Sequence, residues 1–272
     1  MIYDLHSHTS FSDGLLAPGE LVARAVEYGV GMLSITDHDT VDAYHQLSDL
    51  FGGIQLVPGI EFSTQWENRG IHVLGLNIDP FSDAIEAGVS FQTDARRERA
   101  RRIGENLEKC GIENALAGAA ELANGSYIGR PHFAQYVINA GKARDMQAAF
   151  KNYMGDGKAG DVRQHWADLP QIIGWIRDAN GIAVLAHPLK YKLTRTKLKR
   201  LLADFIELGG EGMEVVSGQQ TVQHTSGMVQ VCVELGLLAS CGSDFHAPGK
   251  RWAELGSFSR LPPRVSPVWD RF

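Results

Sequence analysis

The sequence has few cysteines and no long apolar run, and each shortage excludes a class of protein. Three cysteines in 272 residues, an odd number spread far apart, argue against a disulfide framework. No stretch approaches the roughly eighteen apolar residues of a transmembrane helix. The first residues are typical of a strand, which leaves no room for a signal peptide. We therefore expect a cytoplasmic protein with no membrane segment.

Positive charge is also scarce. The chain has 26 Lys and Arg against 32 Asp and Glu, which gives a net charge of −6. No overall basic field would attract long nucleic acid or an anionic membrane, so any nucleotide would bind at a local site. A hydrophobic content of 44% is ordinary for a globular chain, and the length fits one large domain or a barrel with an inserted subdomain.

Short apolar runs rich in branched residues alternate with helical patterns along most of the chain. A helical pattern between the first two runs has Pro18 near its start and Gly29 at its end, which are the signals of a crossover helix. Strands alternating with helices imply parallel pairing, and their number favours an α/β barrel. The predicted strands are Ile2–Leu5, Met32–Thr36, Gln55–Pro58, Ile60–Ser63, Ile71–Asn77, Ile182–Ala186, Gly212–Val216 and Leu237–Cys241.

One segment, residues 81–167, has helical patterns and no convincing strand. It is predicted to be a helical insertion that acts as a lid or substrate-binding subdomain, with 1–80 and 168–272 forming the barrel. A run of arginines inside it either binds substrate or forms the solvated face of a helix. The run consists of Arg96, Arg97, Arg99, Arg101 and Arg102.

Polar residues with metal-binding side chains lie at the predicted strand ends. Because the carboxyl ends of barrel strands meet at one rim, these residues should meet in one pocket. His72 is a partial exception, since it lies at the start of its predicted strand. Six of the ten histidines and three carboxylates make up the set: His6, His8, Asp13, His38, Glu61, His72, His187, Asp244 and His246.

The spacing of these residues indicates metal binding. His6 and His8 project to the same side because strand side chains alternate, and Asp244 and His246 repeat that spacing. Nine ligands, at about four per ion, would hold two to three divalent ions, and mixed imidazole and carboxylate ligands suit Zn, Mn or Fe. Three ions bring +6 and three carboxylates bring −3, so a charge of about +3 would favour an anionic substrate such as a phosphate ester.

These residues resemble the PHP (polymerase and histidinol phosphatase) family. The resemblance implies a distorted (β/α)7 barrel, a trinuclear centre and phosphoesterase activity. It assigns one ion to His6, His8, Glu61 and Asp244, a second to bridging Glu61, His72 and His187, and a third to Asp13, His38 and His246. Asp13 stands where family members can carry His, and a carboxylate favours a harder metal, so Mn is expected before Zn or Fe. The matching motifs are His6-x-His8, Asp13, Thr36-Asp37-His38-Asp39, Gly59-Ile60-Glu61, Ala186-His187-Pro188 and Ser243-Asp244-Phe245-His246.

A narrower resemblance, carried by Ile71–Asn77, Arg96-Arg97 and Gly129-Arg130-Pro131-His132, is to a bacterial subfamily. That subfamily contains nucleoside 3′,5′-bisphosphate phosphatases and enzymes that trim short RNA from its 5′ end. It implies release of the 3′-phosphate of a nucleoside bisphosphate. The first alternative is 5′–3′ trimming of short RNA, and the second is hydrolysis of histidinol phosphate. Two other classes stay open: a metal-dependent amidohydrolase, which also has His-x-His on its first strand, and a metal-binding protein without activity.

Further residues are expected to serve the substrate or the metal ligands. Arg130 is a candidate for phosphate binding, and His132 for phosphate binding and proton donation. His132 has two alternatives, a helix cap or a metal ligand in place of His187. Lys190 and Arg195 are weaker candidates for a second phosphate, and Asp37 is expected to orient a ligand imidazole while Glu61 holds the two nearest ions. Three remaining histidines are interpreted as surface or structural: His45, His165 and His224.

Overall fold

A computed structural model describes residues 1–47, 53–123, 127–162 and 166–272. It divides the chain into unit 1, which is Met1–Val89 with Ala167–Phe272, and unit 2, which is Ser90–Trp166. The insertion predicted from the sequence spanned 81–167. His165 lies outside the described residues.

Eight strands and nine α-helices are present in the described part of the chain. The strands are β1 Ile2–Asp4, β2 Val30–Leu33, β3 Gln55–Leu56, β4 Gly59–Trp66, β5 Arg69–Leu76, β6 Ile182–Leu185, β7 Gly212–Ser217 and β8 Leu238–Gly242. The helices are α1 Pro18–Glu27, α2 Ala43–Gln46, α3 Asp83–Lys109, α4 Ala115–Ala123, α5 Arg130–Asn139, α6 Met146–Ala149, α7 Leu169–Asp178, α8 Arg195–Glu207 and α9 Val222–Leu235.

The strands of unit 1 form two sheets that are joined at both edges. One sheet has the order β1-β2-β3 and the other β4-β5-β6-β7-β8. Beyond β1 and β8, the amide of Leu5 donates to the carbonyl of Cys241 at 3.0 Å. Beyond β2, His38 bridges to Glu61 in parallel. This is the connectivity of a distorted α/β barrel, which confirms the predicted fold class.

One strand differs from the expectation of parallel pairing. β5 is antiparallel to both β4 and β6. The cause is local: Glu67 and Asn68 have φ of 46° and 63°, so a two-residue turn folds β4 and β5 into a hairpin. A strand that runs backwards begins at the rim where its neighbours end, and this explains why His72, early in β5, belongs to the same rim as the other predicted ligands.

Alternate residues of β6 belong to two different hydrophobic clusters. Along β6, Val184 packs in a cluster with Leu5 and Leu74, whereas Leu185 packs in a second cluster with residues of α7, α8 and α9. This alternation is the period of two expected for strands buried on both faces. The helices therefore cover one face of the sheets, and the other face forms an inner core.

Unit 2 is helical and has a core of its own. Ile103 and Leu107 of α3 pack with Phe133 of α5 and with Met154, which ends a π-helical turn after α6. Phe133 is fully buried. Among the helices of the described residues, none combines the length and the apolar character needed to cross a membrane.

Candidate metal centre

The rim of unit 1 brings all nine predicted ligands together. Ligand atoms of these residues fall into overlapping groups in which all atoms lie within 4.8 Å of one another. The groups are His8-Asp13-His38-His246, His6-His187-Asp244, His6-His8-Glu61 and His38-Glu61-His72. Because His6, His8, His38 and Glu61 each belong to more than one group, the groups adjoin one another.

Glu61 lies at the centre of this arrangement. Its Oε1 is 2.8 Å from Nδ1 of His72 and 3.0 Å from Nε2 of His187. Its Oε2 is 3.2 Å from Nε2 of His6, 3.3 Å from Nε2 of His8 and 3.1 Å from Nδ1 of His38. One carboxylate that faces five imidazoles from two sides has the geometry of a bridging ligand.

Asp244 and Asp13 flank this centre on different sides. Oδ1 of Asp244 lies 3.3 Å from Nε2 of His8 and 3.6 Å from Nε2 of His6. Oδ1 of Asp13 lies 3.2 Å from Nε2 of His246, and its two oxygens lie 3.8 Å from His8 and His38. Asp13 is the more open of the two, with 44% of its side chain exposed against 6% for Asp244.

Two of the ligands are held in a backbone conformation that is unusual for their residue type. Asp244 has φ of 54° and His187 has φ of 26°. Asp39, beside His38, has φ of 56°. Positive φ at non-glycine residues costs about 1–3 kcal/mol each and concentrates at functional sites. These conformations place the side chains of the two predicted ligands in the cluster.

Burial and neighbouring charges set the protonation of the histidines. Burial lowers the pKa of His8 to about 3 and that of His187 to about 4, so both rings are neutral at pH 7. A neutral imidazole is the form that binds a metal. Burial also disfavours the His6 cation, but the carboxylates of Glu214 and Glu61 outweigh it and raise the pKa of His6 to about 10.

Several buried polar atoms of the cluster lack a hydrogen bond within the described part of the chain. They are Oε2 of Glu61, Nδ1 of His38 and Nδ1 of His187. Buried polar groups in folded proteins are nearly always satisfied. Nitrogen and carboxylate donors left this way fit divalent cations.

Glu214 of β7 was missed by the sequence analysis. Its Oε1 is 3.1 Å from Nδ1 of His6, and its Oε2 accepts the amide hydrogen of His187 at 2.6 Å. Through these two contacts, Glu214 holds two metal-ligand candidates in position. The available signal was a single acid at an inward position of an otherwise apolar strand.

Asp37 is placed differently from what the sequence suggested. Its carboxylate accepts hydrogen bonds from the amide of Thr9 at 2.7 Å and from the hydroxyl of Ser12 at 2.5 Å. The Ser12 hydroxyl in turn lies 3.5 Å from Nδ1 of His8. Asp37 thus fixes the loop after His8 and, among the residues that the structure describes, reaches the imidazole through Ser12, so its proposed orienting role is indirect.

A cavity of about 680 Å³ opens beside the cluster within unit 1. Lys190 lines it and forms an ion pair with Asp244. His224, interpreted from the sequence as surface or structural, is exposed and also lines it. Arg195, the other candidate phosphate contact, bonds to Gln230 and Glu234 of α9.

Unit 2 holds Arg130 and His132 at the start of α5. Nδ1 of His132 accepts the amide hydrogen of Gly129 at 3.0 Å, which is the capping alternative. With Nδ1 occupied, the neutral ring carries its proton on Nε2 and can still donate there. The ring is not in the nine-residue cluster, whereas His187 is.

The arginine run of α3 divides into two kinds. Arg101 and Arg102 pair with Glu98 on the same helix, as a solvated face does. Arg96 instead stacks over Tyr127 and Trp166, with centroid distances of 4.0 and 4.8 Å. Burial, with Arg130 and Arg96 nearby, lowers the pKa of Arg99 to about 10.

Comparison with known proteins identifies the family. The family model described as PHP domain matches residues 4–163, more than half of the chain. The chain belongs to the PHP domain family. This confirms the family predicted from the sequence.

Three relatives of this PHP-domain chain match it almost end to end. It is 45% identical to the 5′-3′ exoribonuclease Rnm of Escherichia coli, over 99% of this chain and 93% of the relative. It is 39% identical to the 3′,5′-nucleoside bisphosphate phosphatase of Chromobacterium violaceum, over 98% and 94%. A solved structure described as an amidohydrolase from Chromobacterium violaceum with bound sulfate matches with a TM-score of 0.86 and 38% identity, over 100% and 95%.

Proposed function

We propose that the chain hydrolyses the 3′-phosphate of a nucleoside 3′,5′-bisphosphate. The chain is a metal-dependent phosphoesterase by its family and relatives. What we propose is which phosphate ester it hydrolyses. The observation that carries it is the contact of Glu61 with five imidazoles, since a bridged cluster of cations suits phosphoryl transfer. The 39% identity to a phosphatase of this class supports the choice of substrate.

Two to three divalent ions, with Mn expected first, would occupy the cluster. His6, His8, Glu61 and Asp244 would hold one, Glu61 with His72 and His187 a second, and Asp13 with His38 and His246 a third. When bound, such ions activate water and stabilise charge on phosphoryl oxygens. Zn and Fe are the alternatives for the same ligands.

The residues of the chain would then bind and orient the substrate. Lys190, freed from Asp244 once a cation neutralises that carboxylate, would contact a phosphate at the cavity. Arg195 is the weaker candidate, because its guanidinium is already bonded to Glu234.

Arg130 and His132 of unit 2 are proposed as further phosphate contacts. Arg130 begins α5, where helix amides also favour an anion. The buried Nε of Arg99 has no hydrogen-bond partner within the described residues. Burial, followed by the charges of Arg130 and Arg96, lowers the pKa of Arg99, and a phosphate bound there would relieve the repulsion among these cations.

The Mn-loaded protein should release phosphate from adenosine 3′,5′-bisphosphate, assayed in parallel with AMP release from a short 5′-phosphorylated RNA. Faster phosphate release supports the proposal. Glu61→Gln should abolish turnover while circular dichroism stays unchanged, and normal turnover by this variant would contradict the role of the cluster.

The 45% identity to an exoribonuclease favours trimming of short RNA as the second candidate. Dominant AMP release from the RNA would select it. If both substrates are inert, histidinol phosphate is the next to assay. Hydrolysis of an amide or lactone without phosphatase activity would select the amidohydrolase class.

A further inference from the structure

An exposed tryptophan lies beside the metal-ligand candidates. Trp252 has 62% of its surface exposed, although most large apolar side chains of unit 1 are buried. It lines the same cavity as Asp244 and His246. A ligand bound at the cluster and extending into this cavity would therefore meet the indole.

The backbone that carries Trp252 is held in place from two sides. Its carbonyl accepts the amide hydrogen of Gln219 at 2.7 Å, which ties the turn Arg251–Ala253 to the loop after β7. A Cβ at Gly218 would lie 2.7 Å from that carbonyl oxygen, so the close approach requires glycine. Two residues on, Glu254 accepts two hydrogen bonds from Arg24, at 2.9 and 2.7 Å.

An indole that is exposed while its backbone is fixed is suited to binding a planar group. Because the backbone is already held, stacking has to order only the two side-chain torsions of Trp252. The cavity also carries the ammonium groups of Lys190 and Lys250, which suit a phosphate. A volume of about 680 Å³ lies within the range of small-molecule sites, which is about 300–1,000 Å³.

We infer that Trp252 is a stacking platform for the nucleobase of the substrate whose phosphate is hydrolysed at the cluster. This inference rests on the proposed function for the substrate class and adds the residue that recognises the base. Stacking on an aromatic face is tolerant of base identity, with purines favoured for their larger ring. Lys190 and Lys250 would contact the sugar-phosphate part of the same ligand.

The test compares Trp252→Ala and Trp252→Phe with Phe81→Ala, a control at an aromatic residue that is 58% exposed and does not line the cavity. Each Mn-loaded protein is assayed on adenosine 3′,5′-bisphosphate and on the base-free ribose 3,5-bisphosphate. Trp252→Ala should lower kcat/KM about tenfold or more on the nucleotide, mainly through KM, and leave the base-free substrate unchanged. Trp252→Phe should retain most activity, and Phe81→Ala all of it.

Binding of AMP, measured by calorimetry on the same proteins, separates this inference from the proposed function. AMP should bind about tenfold more weakly to Trp252→Ala than to the wild type, whether or not either bisphosphate is hydrolysed. An unchanged AMP affinity overturns the platform, as does an equal loss of activity on both substrates. Absence of turnover in the wild type with weakened AMP binding in Trp252→Ala would overturn the proposed function alone.

Discussion

Nδ1 of His6 lies 3.1 Å from Oε1 of Glu214, and both side chains are fully buried. The carboxylate fixes the ring so that Nε2 faces Glu61 at 3.2 Å. A metal-ligand candidate is thus held by an acid that lies 208 residues away in the sequence.

Replacement of Glu214 by Gln should weaken metal binding. The amide keeps the size of the side chain but loses the charge that orients His6, and loss of such a partner typically costs about 10–100-fold in metal affinity or activity. Calorimetric titration with Mn measures the effect. Glu211→Gln, a change at a half-buried acid just before β7 that pairs with Arg271, serves as the control and should bind Mn as the wild type does. Equal affinities for both variants would contradict the role of Glu214.

Replacement of Gly242 by Ala should disturb the junction between β1 and β8. An added Cβ would lie 2.4 Å from Cβ and 2.6 Å from the amide nitrogen of His6. We expect a loss of about 1–3 kcal/mol in the free energy of unfolding and weaker Mn binding. Chemical denaturation and metal titration measure the two effects.

Gly174→Ala, in the interior of α7, is the matched control. Beyond the backbone of its own helix, no atom of the described residues lies within 4 Å of the position that its Cβ would occupy. That variant should gain about 0.5–1 kcal/mol. A Gly242→Ala protein as stable as the wild type would show that the two chain segments approach each other less closely than these distances indicate.

Metal affinity should rise with pH. In the ion-free chain the carboxylates of Glu214 and Glu61 raise the pKa of His6 from 6.5 to about 10, so the folded protein holds a proton there at neutral pH. This proton stabilises the ion-free fold fully below pH 6.5, and its contribution is lost as the pH rises through about 10. Because ion binding must displace it, the affinity for Mn should increase about tenfold per pH unit between pH 7 and 8.5.

Calorimetry in two buffers of different ionisation enthalpy should report about one proton released per chain. Glu214→Gln removes one of the causes of the raised pKa and should flatten the pH dependence. A pH-independent affinity in the wild type would contradict the protonated His6.

The three thiols should differ in reactivity. Cys110 is exposed, whereas Cys232 and Cys241 are buried. Burial raises the pKa of the Cys232 thiol to about 11, which leaves little thiolate at pH 8. A thiol reagent should therefore label one cysteine rapidly in the native protein and the other two only on unfolding. Loss of the rapid phase in Cys110→Ser identifies the residue, and three rapid phases would contradict the burial.

The fold class and the convergence of the candidate ligands could be predicted because both follow from local patterns. His6 and His8 come directly after a strand, and Asp244 and His246 repeat the spacing, so the alternation of strand side chains and the common rim of a barrel bring them together. The direction of β5 could not be predicted in this way, because it depends on a turn at Glu67 that lacks the glycine that usually marks a hairpin.

Other features depend on contacts between distant parts of the chain. Glu214 meets His6 only through the barrel, and no spacing in the sequence reveals that pair. Arg195 was predicted to bind phosphate from its position near His187, but Glu234 of α9 lies within reach of its guanidinium. Asp37 was expected to orient a ligand imidazole, and its oxygens accept hydrogen bonds from Thr9 and Ser12, so it reaches His8 through Ser12.

The number of ions bound per chain decides whether Glu61 bridges a metal cluster. Protein stripped with a chelator, reloaded with Mn and desalted is analysed by mass spectrometry for bound metal, alongside Glu61→Gln. We expect about two to three Mn per wild-type chain and at least one fewer in Glu61→Gln, with an unchanged circular dichroism spectrum. Fewer than two ions in the wild type, or the same count in the variant, would contradict a cluster bridged by Glu61.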